Sequence, residues 1–307
     1  MEVTTDLPRI AILLATYNGA LHVGEQLASI TRQRNVDWHL FIRDDGSSDS
    51  TVELVHKAGI AVDKLTILVD EIGPTGSACG NFLAMTAAVD TTSFNYFSFA
   101  DQDDIWLADK LERAISCMKD HQASAYSSNL TTFTAARSPA GFIRKDQPQK
   151  RWDYLFQGAS AGCTYVLDRQ AMTLVQTVVR SMSEAVPSWI SHDWFIYALC
   201  RSTGLTWFQD PEARILYRQH AANVYGAQSG LSGLWQRAAL ARSGWYRRHV
   251  LWILSRLDLD DEGIAIASAV RRMNLTDRLW LVARCGQFRR KRRESALLAA
   301  AILTGFF

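Results

Sequence analysis

The sequence lacks both glycine-rich signatures that hold phosphates in many nucleotide-binding proteins. No GxGxxG follows the first predicted strand, and no GxxxxGK[ST] occurs anywhere in the 307 residues. Such loops cradle phosphates with backbone N–H groups at a helix N-terminus. Their absence excludes a dinucleotide-binding fingerprint and a P-loop, so a bound nucleotide would need another device to neutralise its phosphates.

Paired cysteines, an excess of one charge and long apolar runs are also missing. The five cysteines are odd in number and none has CxxC spacing, which favours free thiols in a reducing cytoplasm over disulfides or a zinc site. The formal net charge is only +2, so global charge selects no partner. No stretch reaches the ~20 apolar residues that span a bilayer, and Asp6, Pro8 and Arg9 interrupt any signal-peptide pattern.

The most informative stretch that is present runs from Phe97 to Trp106 (FSFADQDDIW). The apolar segment 95–100 predicts a buried strand, and Asp101, Asp103 and Asp104 follow its carboxyl end. Open α/β sheets bind ligands at that edge. Clustered carboxylates repel one another, and Mg²⁺ or Mn²⁺ would relieve the repulsion. The alternative is a solvated acidic turn that caps the helix predicted from Ala108.

Strands and helices alternate before this acidic stretch. Predicted strands occupy 9–15, 38–43, 65–69 and 95–100, and predicted helices occupy 21–30, 50–58 and 81–89; Ser50 and Glu53 have capping-box spacing. This alternation predicts a mostly parallel sheet flanked by helices. The polar ends Thr16–Asn18 and Asp44–Asp45 should then share one edge with Asp101, although solvated loops would be polar too.

The second half of the sequence is less regular. Helices are predicted at 108–121 and 169–180, and strands at 125–130, 165–167, 207–208 and 215–220. The segment 133–151 contains Pro139, Gly141 and Pro148 without periodicity, which predicts a loop.

Three further features have two interpretations each. The glycines of FQGASAGCT (156–164) permit close approach to a ligand, or they form a turn at the start of a strand. Asp193 lies between Trp189 and Trp194, as a general base or a helix N-cap. His220 either has a ligand role or is a structural histidine whose ring nitrogens are hydrogen-bonded within the fold.

Six segments together resemble a known family. In chain order they are LLATYNGALHVGEQLASI, IRDDGSSDST, FADQDDIW, GCTYVLDR, SHDW and YRQHAANVYG. They resemble family-two glycosyltransferases of the GT-A fold, particularly the bacterial rhamnosyltransferase-like branch, over residues 9–226. The resemblance implies an α/β, Rossmann-like catalytic domain at 1–226, with a nucleotide-sugar half at about 1–105 and an acceptor half at about 106–226.

The resemblance also implies roles for individual residues. Asp193 matches the catalytic base, and Asp101, Asp103 and His220 match a site for Mn²⁺ or Mg²⁺. Nucleotide contacts are implied for Thr16, Tyr17, Asn18, Asp44, Asp45, Asn81, Asp101 and Gln102. Contacts with donor sugar or acceptor are implied for Asp104, Trp106, Gly162, Thr164, His192 and Trp194. Cys79 departs from the branch, where a more polar residue often precedes the Asn-Phe pair.

The implied activity is transfer of a sugar, rhamnose by resemblance, from a dTDP- or UDP-linked donor to a lipid-linked or polysaccharide acceptor such as an O-antigen. One base without a second nucleophile predicts inversion at the anomeric carbon. This requires Asp44, Asp101, Asp103, Asp193 and His220 to meet around one cation. The alternatives are a nucleotidyltransferase of similar fold and a non-catalytic sugar-binding module; a processive synthase is disfavoured because no QxxRW follows SHDW.

Residues 227–307 differ in character from the rest. Helical periodicity accompanies the basic run Arg289–Arg293 and an apolar tail from Ala296. Basic residues beside Trp and Leu are typical of helices that lie on anionic membranes, which predicts peripheral contact at the cytoplasmic face of the inner membrane. Packing on the catalytic domain or in a homo-oligomer is the alternative, and nucleic acid is not expected as a partner.

Overall fold

The computed structural model describes residues 7–69, 73–133, 139–219 and 244–307. Within these residues the chain forms two compact units. Of the described residues, the first unit takes those from 7 to 146, Ser160–Ser188 and Leu205–Gln219, and the second takes Gln147–Ala159, Trp189–Gly204 and 244–307. The predicted boundary at 226/227 falls outside the described residues, so the domain limits stay a prediction.

The first unit begins with four parallel strands, as the alternation predicts. Strands β1 to β4 are Arg9–Thr16, Asp37–Asp44, Leu65–Ile67 and Tyr96–Asp101, in the spatial order β3-β2-β1-β4. Because β1 pairs in parallel with both neighbours, Thr16 aligns with Asp44 and Ala15 with Asp101. The carboxyl ends of these strands therefore bring the two predicted Asp clusters to one edge of the sheet.

The connections in this half are the helices α1 (Val23–Ile30), α2 (Thr51–Lys57) and α3 (Ala78–Ala88). Every residue of the segment 10–14 in β1 is fully buried, and each buried aliphatic side chain contributes about 1.5–3 kcal/mol. Helix α3 starts earlier than predicted because the Ser77 hydroxyl accepts a hydrogen bond from Gly80 N at 3.0 Å. The capping box predicted for α2 is wrong: Ser50 makes no side-chain capping bond.

The second half of the sheet is mixed rather than parallel. Its strands are β5 (Ile105–Trp106), β6 (Ala125–Phe133), β7 (Pro139–Ile143), β8 (Val166–Asp168) and β9 (Trp207–Arg218). They extend the sheet beyond β4 in the order β8-β6-β9-β5, with β7 on β6. Among the described strands, β6 and β9 are parallel, whereas the β4–β8, β5–β9, β6–β7 and β6–β8 pairs are antiparallel. The α/β fold class is confirmed, and its parallel part is concentrated in β1 to β4.

Two local predictions in this half are wrong and one strand was missed, because sequence patterns do not show distant partners. The predicted loop 133–151 contains β7, which pairs along β6 from Leu130 to Phe133. The two short strands predicted around Pro211 are one strand, β9, whose register against β6 shifts near that residue; proline has no N–H for a ladder hydrogen bond. The two-residue strand β5 was not predicted at all and pairs with β9.

The two long helices of the first unit are confirmed. Helix α4 covers Lys110–Asp120 and buries Leu111, Ala114, Ile115 and Met118 on one face. Helix α5 covers Arg169–Arg180 and is capped by Asp168, which accepts a hydrogen bond from Ala171 N at 2.8 Å.

The second unit is helical in its described part, as the periodicity of the C-terminal region predicts. Helix α6 covers His192–Ser202, and the later helices are Trp245–Leu254, Asp261–Arg272, Leu275–Val282, Cys285–Phe288 and Arg292–Thr304. Aromatic contacts hold this unit together; for example, the rings of Phe156 and Phe288 stack with centroids 4.2 Å apart.

Two residues of the basic run form hydrogen bonds and ion pairs within the second unit. Arg289 donates to the Phe156 carbonyl at 2.8 Å and to Glu294 at 2.7 Å. Arg290 is only 4% exposed and pairs with buried Asp153 at 3.4 Å. Residues 291–293 of the run are exposed, whereas the Arg289 side chain is only 22% exposed, so fewer basic groups are available to a membrane surface than predicted. In the described parts of the chain, none of the helices combines the length and apolarity that crossing a membrane requires.

Candidate active site

The turn that follows β1 is tied to the turn that follows β2. Asn18, which has a positive φ of 46°, donates its backbone N–H to Ser47 Oγ at 2.8 Å and accepts from Ser48 N at 2.8 Å. The buried hydroxyl of Thr51 accepts from Gly19 N at 2.8 Å. These bonds fix the backbone of the segment predicted to line the nucleotide.

Gln102 positions the same turn from the acidic stretch. Its side-chain amide accepts from Tyr17 N and donates to Tyr17 O, both at 2.9 Å. A Cβ atom on Gly19 would lie 2.1 Å from Gln102 Oε1, so a larger residue there would have to displace the Gln102 side chain from Tyr17. Gln102 was predicted to contact a nucleotide, whereas the structure uses its side chain to hold the backbone beside the exposed ring of Tyr17.

Asp44 lies at the end of β2 with its carboxylate oxygens engaged. It accepts from Thr16 Oγ1 at 2.8 Å, Ser47 Oγ at 2.6 Å, Ser47 N at 2.7 Å and Gly46 N at 3.1 Å. A carboxylate offers about four lone-pair positions, so these four bonds use them. The predicted contact between Asp44 and a base would have to replace one of these hydrogen bonds.

Asp45 and Asn81 were also predicted to contact the nucleotide, and the structure places both in a buried network around Arg43. Arg43 Nη1 donates at 3.0 Å to Asp45 Oδ1 and at 3.0 Å to Asn81 Oδ1. Asp45 also accepts from Thr75 N at 2.6 Å and Gly76 N at 2.8 Å. The geometry therefore favours a supporting role beneath the strand ends for both residues.

A second acidic cluster forms where β4 ends. One ligand atom each from Asp101, Asp104 and Cys163 lies within 4.8 Å of the other two. Asp104 is fully buried; its Oδ1 accepts from Arg218 N at 3.2 Å, and its Oδ2 has no hydrogen-bond partner in the described part of the chain. Burial, followed by the charges of Asp103 and Asp101, raises the pKa of Asp104 well above its usual range.

Asp103 does not belong to this three-residue group, although the resemblance pairs it with Asp101 around a metal. Its backbone carbonyl accepts from Arg218 Nε at 2.8 Å. The alternative in which the acidic triplet caps α4 is wrong, since the N-cap position is Asp109 and its side chain makes no capping bond. Arg218 is buried and paired with Glu25; it belongs to the YRQHAANVYG segment, but the resemblance implies no role for it.

Lys110 is a buried cation behind the cluster that sequence reasoning missed. Its Nζ donates to Ser98 Oγ at 3.0 Å and lies 3.6 Å from the ring centroid of Trp106. Burial lowers the pKa of Lys110 to about 7, against the opposing effects of Cys163 and Asp104. Its position four residues before Ala114 on the buried face of α4 is the sequence feature that could have identified it.

Gly162 and Thr164 flank Cys163 in a buried 3₁₀ turn, Gly162–Thr164, that leads into β8. The Thr164 hydroxyl donates to the Ala161 carbonyl at 2.7 Å. This segment is therefore a turn at the start of a strand, as the structural interpretation predicted. The contacts of Gly162 and Thr164 with a sugar stay predictions. Trp106, also predicted to line the site, is 2% exposed and donates its backbone N–H to Ser29 Oγ at 3.0 Å.

The predicted base, Asp193, lies in the first turn of α6 in the second unit. Its Oδ1 accepts from Trp194 N at 2.6 Å and from the Ser191 hydroxyl. Ser191, not Asp193, is the N-cap residue. Trp194 donates its indole N–H to the Tyr154 carbonyl at 2.8 Å and stacks on His249 at 4.3 Å, so the residue beside the carboxylate is held in an aromatic layer.

Burial shapes the two histidines of this region. It lowers the pKa of His192, and it lowers the pKa of His249 to about 4, with the Asp193 carboxylate acting in the opposite direction. His220 lies outside the described residues. The expectation that Asp193 and His220 meet the acidic residues around one cation therefore stays a prediction.

A cavity of about 480 Å³ in the first unit contains none of the predicted site residues. Its lining includes Glu25, the ion-pair partner of Arg218. The other residues around it are Ala28, Arg32, Ile105, Thr131, Thr132, Phe133 and Leu216.

Comparisons with known proteins agree with this architecture. The family model for glycosyl transferase family 2 matches residues 11–164. The chain is 34% identical to the dTDP-rhamnosyl transferase RfbG of Shigella flexneri over 247 residues, which cover 80% of this chain and 84% of that protein. It is 28% identical to the UDP-Glc:alpha-D-GlcNAc-diphosphoundecaprenol beta-1,3-glucosyltransferase WfgD of Escherichia coli, over 52% of this chain and 60% of that protein.

Solved structures support the fold. S. aureus TarS 1–349, in complex with UDP-GlcNAc, superposes with a TM-score of 0.59 at 12% identity, covering 85% of this chain and 70% of that one. Because the family model and a relative over most of the chain point to the same enzymes, the nucleotidyltransferase and binding-module alternatives are set aside. The chain therefore belongs to glycosyl transferase family 2, has the GT-A fold, and is a glycosyltransferase similar to the rhamnosyltransferase-like branch.

Proposed function

We propose that this enzyme moves a sugar from a dTDP- or UDP-linked donor to a hydroxyl group of a lipid-linked or polysaccharide acceptor, with inversion at the anomeric carbon. One observation carries the proposal: Asp101 and the buried Asp104 lie at the carboxyl end of β4 in a chain that shares 34% identity with RfbG. In α/β sheets that edge binds ligands.

The relatives suggest the first substrates to try. RfbG is named as a dTDP-rhamnosyl transferase, so dTDP-rhamnose is the donor we propose. WfgD is named for an acceptor built on diphosphoundecaprenol, so a lipid-linked saccharide of an O-antigen type is the proposed acceptor class. Such an acceptor would place the enzyme at the cytoplasmic face of the inner membrane, where the exposed residues 291–293 could contact anionic lipid.

The residues at the end of β4 fit a divalent cation. Their donors include carboxylate oxygens, the ligands that Mg²⁺ and Mn²⁺ prefer, and Asp101 lies at the end of β4. Asp101 and Asp103 would hold the ion, with His220 as a further proposed ligand. When bound, such an ion supplies Lewis-acid stabilisation of the leaving diphosphate.

The chain's own groups supply binding, orientation and proton transfer. The Thr16–Gly19 turn is held by Gln102 and Ser47 before any donor arrives, which reduces the entropy lost on binding. Asp193 is the proposed base that takes the proton of the acceptor hydroxyl. The aromatic residues Trp106, Trp189 and Trp194 are proposed to exclude water from the reaction.

The proposal is tested by mixing the purified chain with dTDP-rhamnose or UDP-sugars and a lipid-linked acceptor, with Mn²⁺, Mg²⁺ or a chelator. We expect nucleoside diphosphate release and a glycosylated product for one donor, lost with chelator. Release that is equal with and without chelator would reject the metal, and the absence of product with every donor would reject the substrate class.

Asp193→Asn tests the base. A neutral amide cannot accept the proton, so kcat should fall about 10²- to 10⁴-fold while donor binding stays unchanged. Asp260→Asn is the matched control, because Asp260 caps the helix Asp261–Arg272 by accepting from Gly263 N and asparagine caps equally well. Near-normal turnover in Asp193→Asn would show that another group is the base.

A further inference from the structure

A buried thiol meets two carboxyl groups in the first unit. Asp101 ends β4, Asp104 follows in the next turn, and Cys163 comes from the 3₁₀ turn before β8. Ligand atoms of these three residues lie within 4.8 Å of one another. Asp104 and Cys163 are both fully buried, whereas Asp101 is partly exposed, so Asp101 forms the solvent side of the group.

Independent support comes from one atom that the fold does not satisfy. Asp104 Oδ2 is buried and has no hydrogen-bond partner within residues 7–69, 73–133, 139–219 and 244–307. Leaving a buried acceptor unpaired costs about 1–3 kcal/mol. A buried carboxyl oxygen of this kind is accounted for if the carboxyl group has a ligand to bind.

We propose that Asp101, Asp104 and Cys163 form a binding site for a thiophilic divalent cation of the Zn²⁺ class. Zn²⁺ is bound by cysteine sulfur and by aspartate oxygen, usually with four ligands, so three protein ligands leave one position for water. Magnesium and manganese prefer oxygen alone, whereas sulfur selects softer ions. This site differs from the Asp101–Asp103 pair of the proposed function because it uses a sulfur and omits Asp103.

Cation binding replaces the protons of its ligands by bonds to the metal, so an Asp104 carboxyl group that carries a proton also releases it to buffer. The Cys163 thiol loses its proton to buffer as the cation binds, because a coordinating thiol is deprotonated. No oxidant or reductant takes part. Since Asp101 belongs to both sets of ligands, bound Zn²⁺ would compete with Mn²⁺ or Mg²⁺ and inhibit transfer; that single consequence rests on the proposed function.

Other groups facing the site set its affinity. The Lys110 ammonium interacts electrostatically with both Cys163 and Asp104, and its positive charge opposes a second cation. Asp103 adds negative charge, and Tyr217 is close enough for the acidic residues and the thiol to affect its pKa, which is raised mainly by burial. Replacing Lys110 by a neutral side chain of similar length should therefore tighten cation binding.

Cadmium titration of the full chain, without donor or acceptor, tests the site. Cd²⁺ is the probe because a cadmium–thiolate bond absorbs in the ultraviolet. We expect this absorption in the wild-type chain, its loss in Cys163→Ser, and at least about a 10-fold weaker Cd²⁺ affinity. Cys285→Ser is the matched control: Cys285 is also buried, but its sulfur donates to the Leu281 carbonyl at 3.6 Å, and this variant should keep the absorption.

Two further variants keep the test decisive. If Cys163→Ser does not fold, Asp104→Asn should weaken Cd²⁺ binding at least about 10-fold, and Lys110→Met should strengthen it. No thiolate absorption in the wild-type chain, or the same absorption in Cys163→Ser, would overturn the proposal. The Cd²⁺ titration contains no substrate, so it tests the cation site separately from transferase activity. A chain that binds Cd²⁺ through Cys163 but transfers no sugar would reject the proposed function and leave the cation site standing.

Discussion

Two aspartate clusters lie at the same edge of one sheet and differ in how the fold satisfies them. Asp44 and Asp45 follow β2, and the residues from Asp101 to Asp104 follow β4. Both clusters have the composition expected of a metal or nucleotide site. Composition and location alone therefore do not separate a structural carboxylate from one that is kept for a ligand.

The cluster after β2 is closed by the chain itself. Asp45 is 5% exposed, pairs with Arg43 at 3.0 Å and accepts hydrogen bonds from Thr75 and Gly76. Asp44 accepts four hydrogen bonds, one from Thr16 at the end of β1 and three from Gly46 and Ser47 in the turn after β2. These interactions fasten the 73–76 segment and the turn after β1, so this cluster builds the floor of the site.

The cluster after β4 is not closed in the same way. Asp104 is more deeply buried than Asp45, yet one of its oxygens has no hydrogen bond within the described residues. Its neighbours include a buried thiol and a buried lysine rather than an arginine fork. The comparison teaches that the partners of a carboxylate, more than its place at a strand end, distinguish support from ligand binding.

The largest expected effect is on the closed cluster. Asp45→Asn leaves Arg43 buried without its carboxylate, which should lower the free energy of unfolding by about 3–5 kcal/mol. Urea denaturation measures this loss. Asp37→Asn is the control, because the Asp37 side chain is 38% exposed in its ion pairs with Arg9 and Lys64 and should cost about 1 kcal/mol or less. Equal losses in the two variants would remove the distinction between supporting and exposed carboxylates.

A slightly smaller effect is expected on the pH dependence of the unfolding free energy, through the buried histidine His249. Burial depresses the pKa of His249 from 6.5 to about 4, so the unfolded chain binds the proton more readily between these values. The stability that neutral, buried His249 contributes is therefore fully present above pH 6.5 and is lost as the pH falls towards 4. The loss amounts to about 3 kcal/mol at the lower limit.

His249→Phe removes that pH-dependent part while keeping an aromatic ring against Trp194. Unfolding free energies of the wild type and the variant should therefore converge, or cross in favour of the variant, between pH 6.5 and 4. Parallel pH profiles for the two chains would show that His249 does not titrate in this way.

The smallest expected effect has the opposite sign to that of Asp45→Asn. Asp104→Asn removes a buried ionisable group that has an unpaired oxygen, so it should stabilise the chain by about 1 kcal/mol at neutral pH. Thermal unfolding measures the change, which should appear as a rise in Tm of a few degrees. A destabilised Asp104→Asn would mean that the two clusters are structurally equivalent.

Much of the fold was predictable because its first half is local. Burial on both faces makes β1 a continuous apolar run, and the alternation of strand and helix then requires parallel pairing. The second half was less predictable because β5, β7 and β9 exist only through partners far away in sequence, such as Ile105 with Leu216. The candidate site residues divide in the same way. The position of Asp101 was predictable because it ends a strand, whereas Cys163 lies near Asp101 only because β8 pairs with β4.

By itself, the sequence determined the strand–helix alternation, the family and the edge of the sheet at which acidic residues collect, since these depend on short-range pattern and on the direction of the strands. The tertiary structure was needed to show which carboxylates are satisfied, because hydrogen-bond partners such as Thr75, Gly76 and Arg218 come from segments that are distant in sequence. It likewise decided that Lys110 is buried and that the Arg290 side chain is only 4% exposed, since burial of a charge depends on what packs around it.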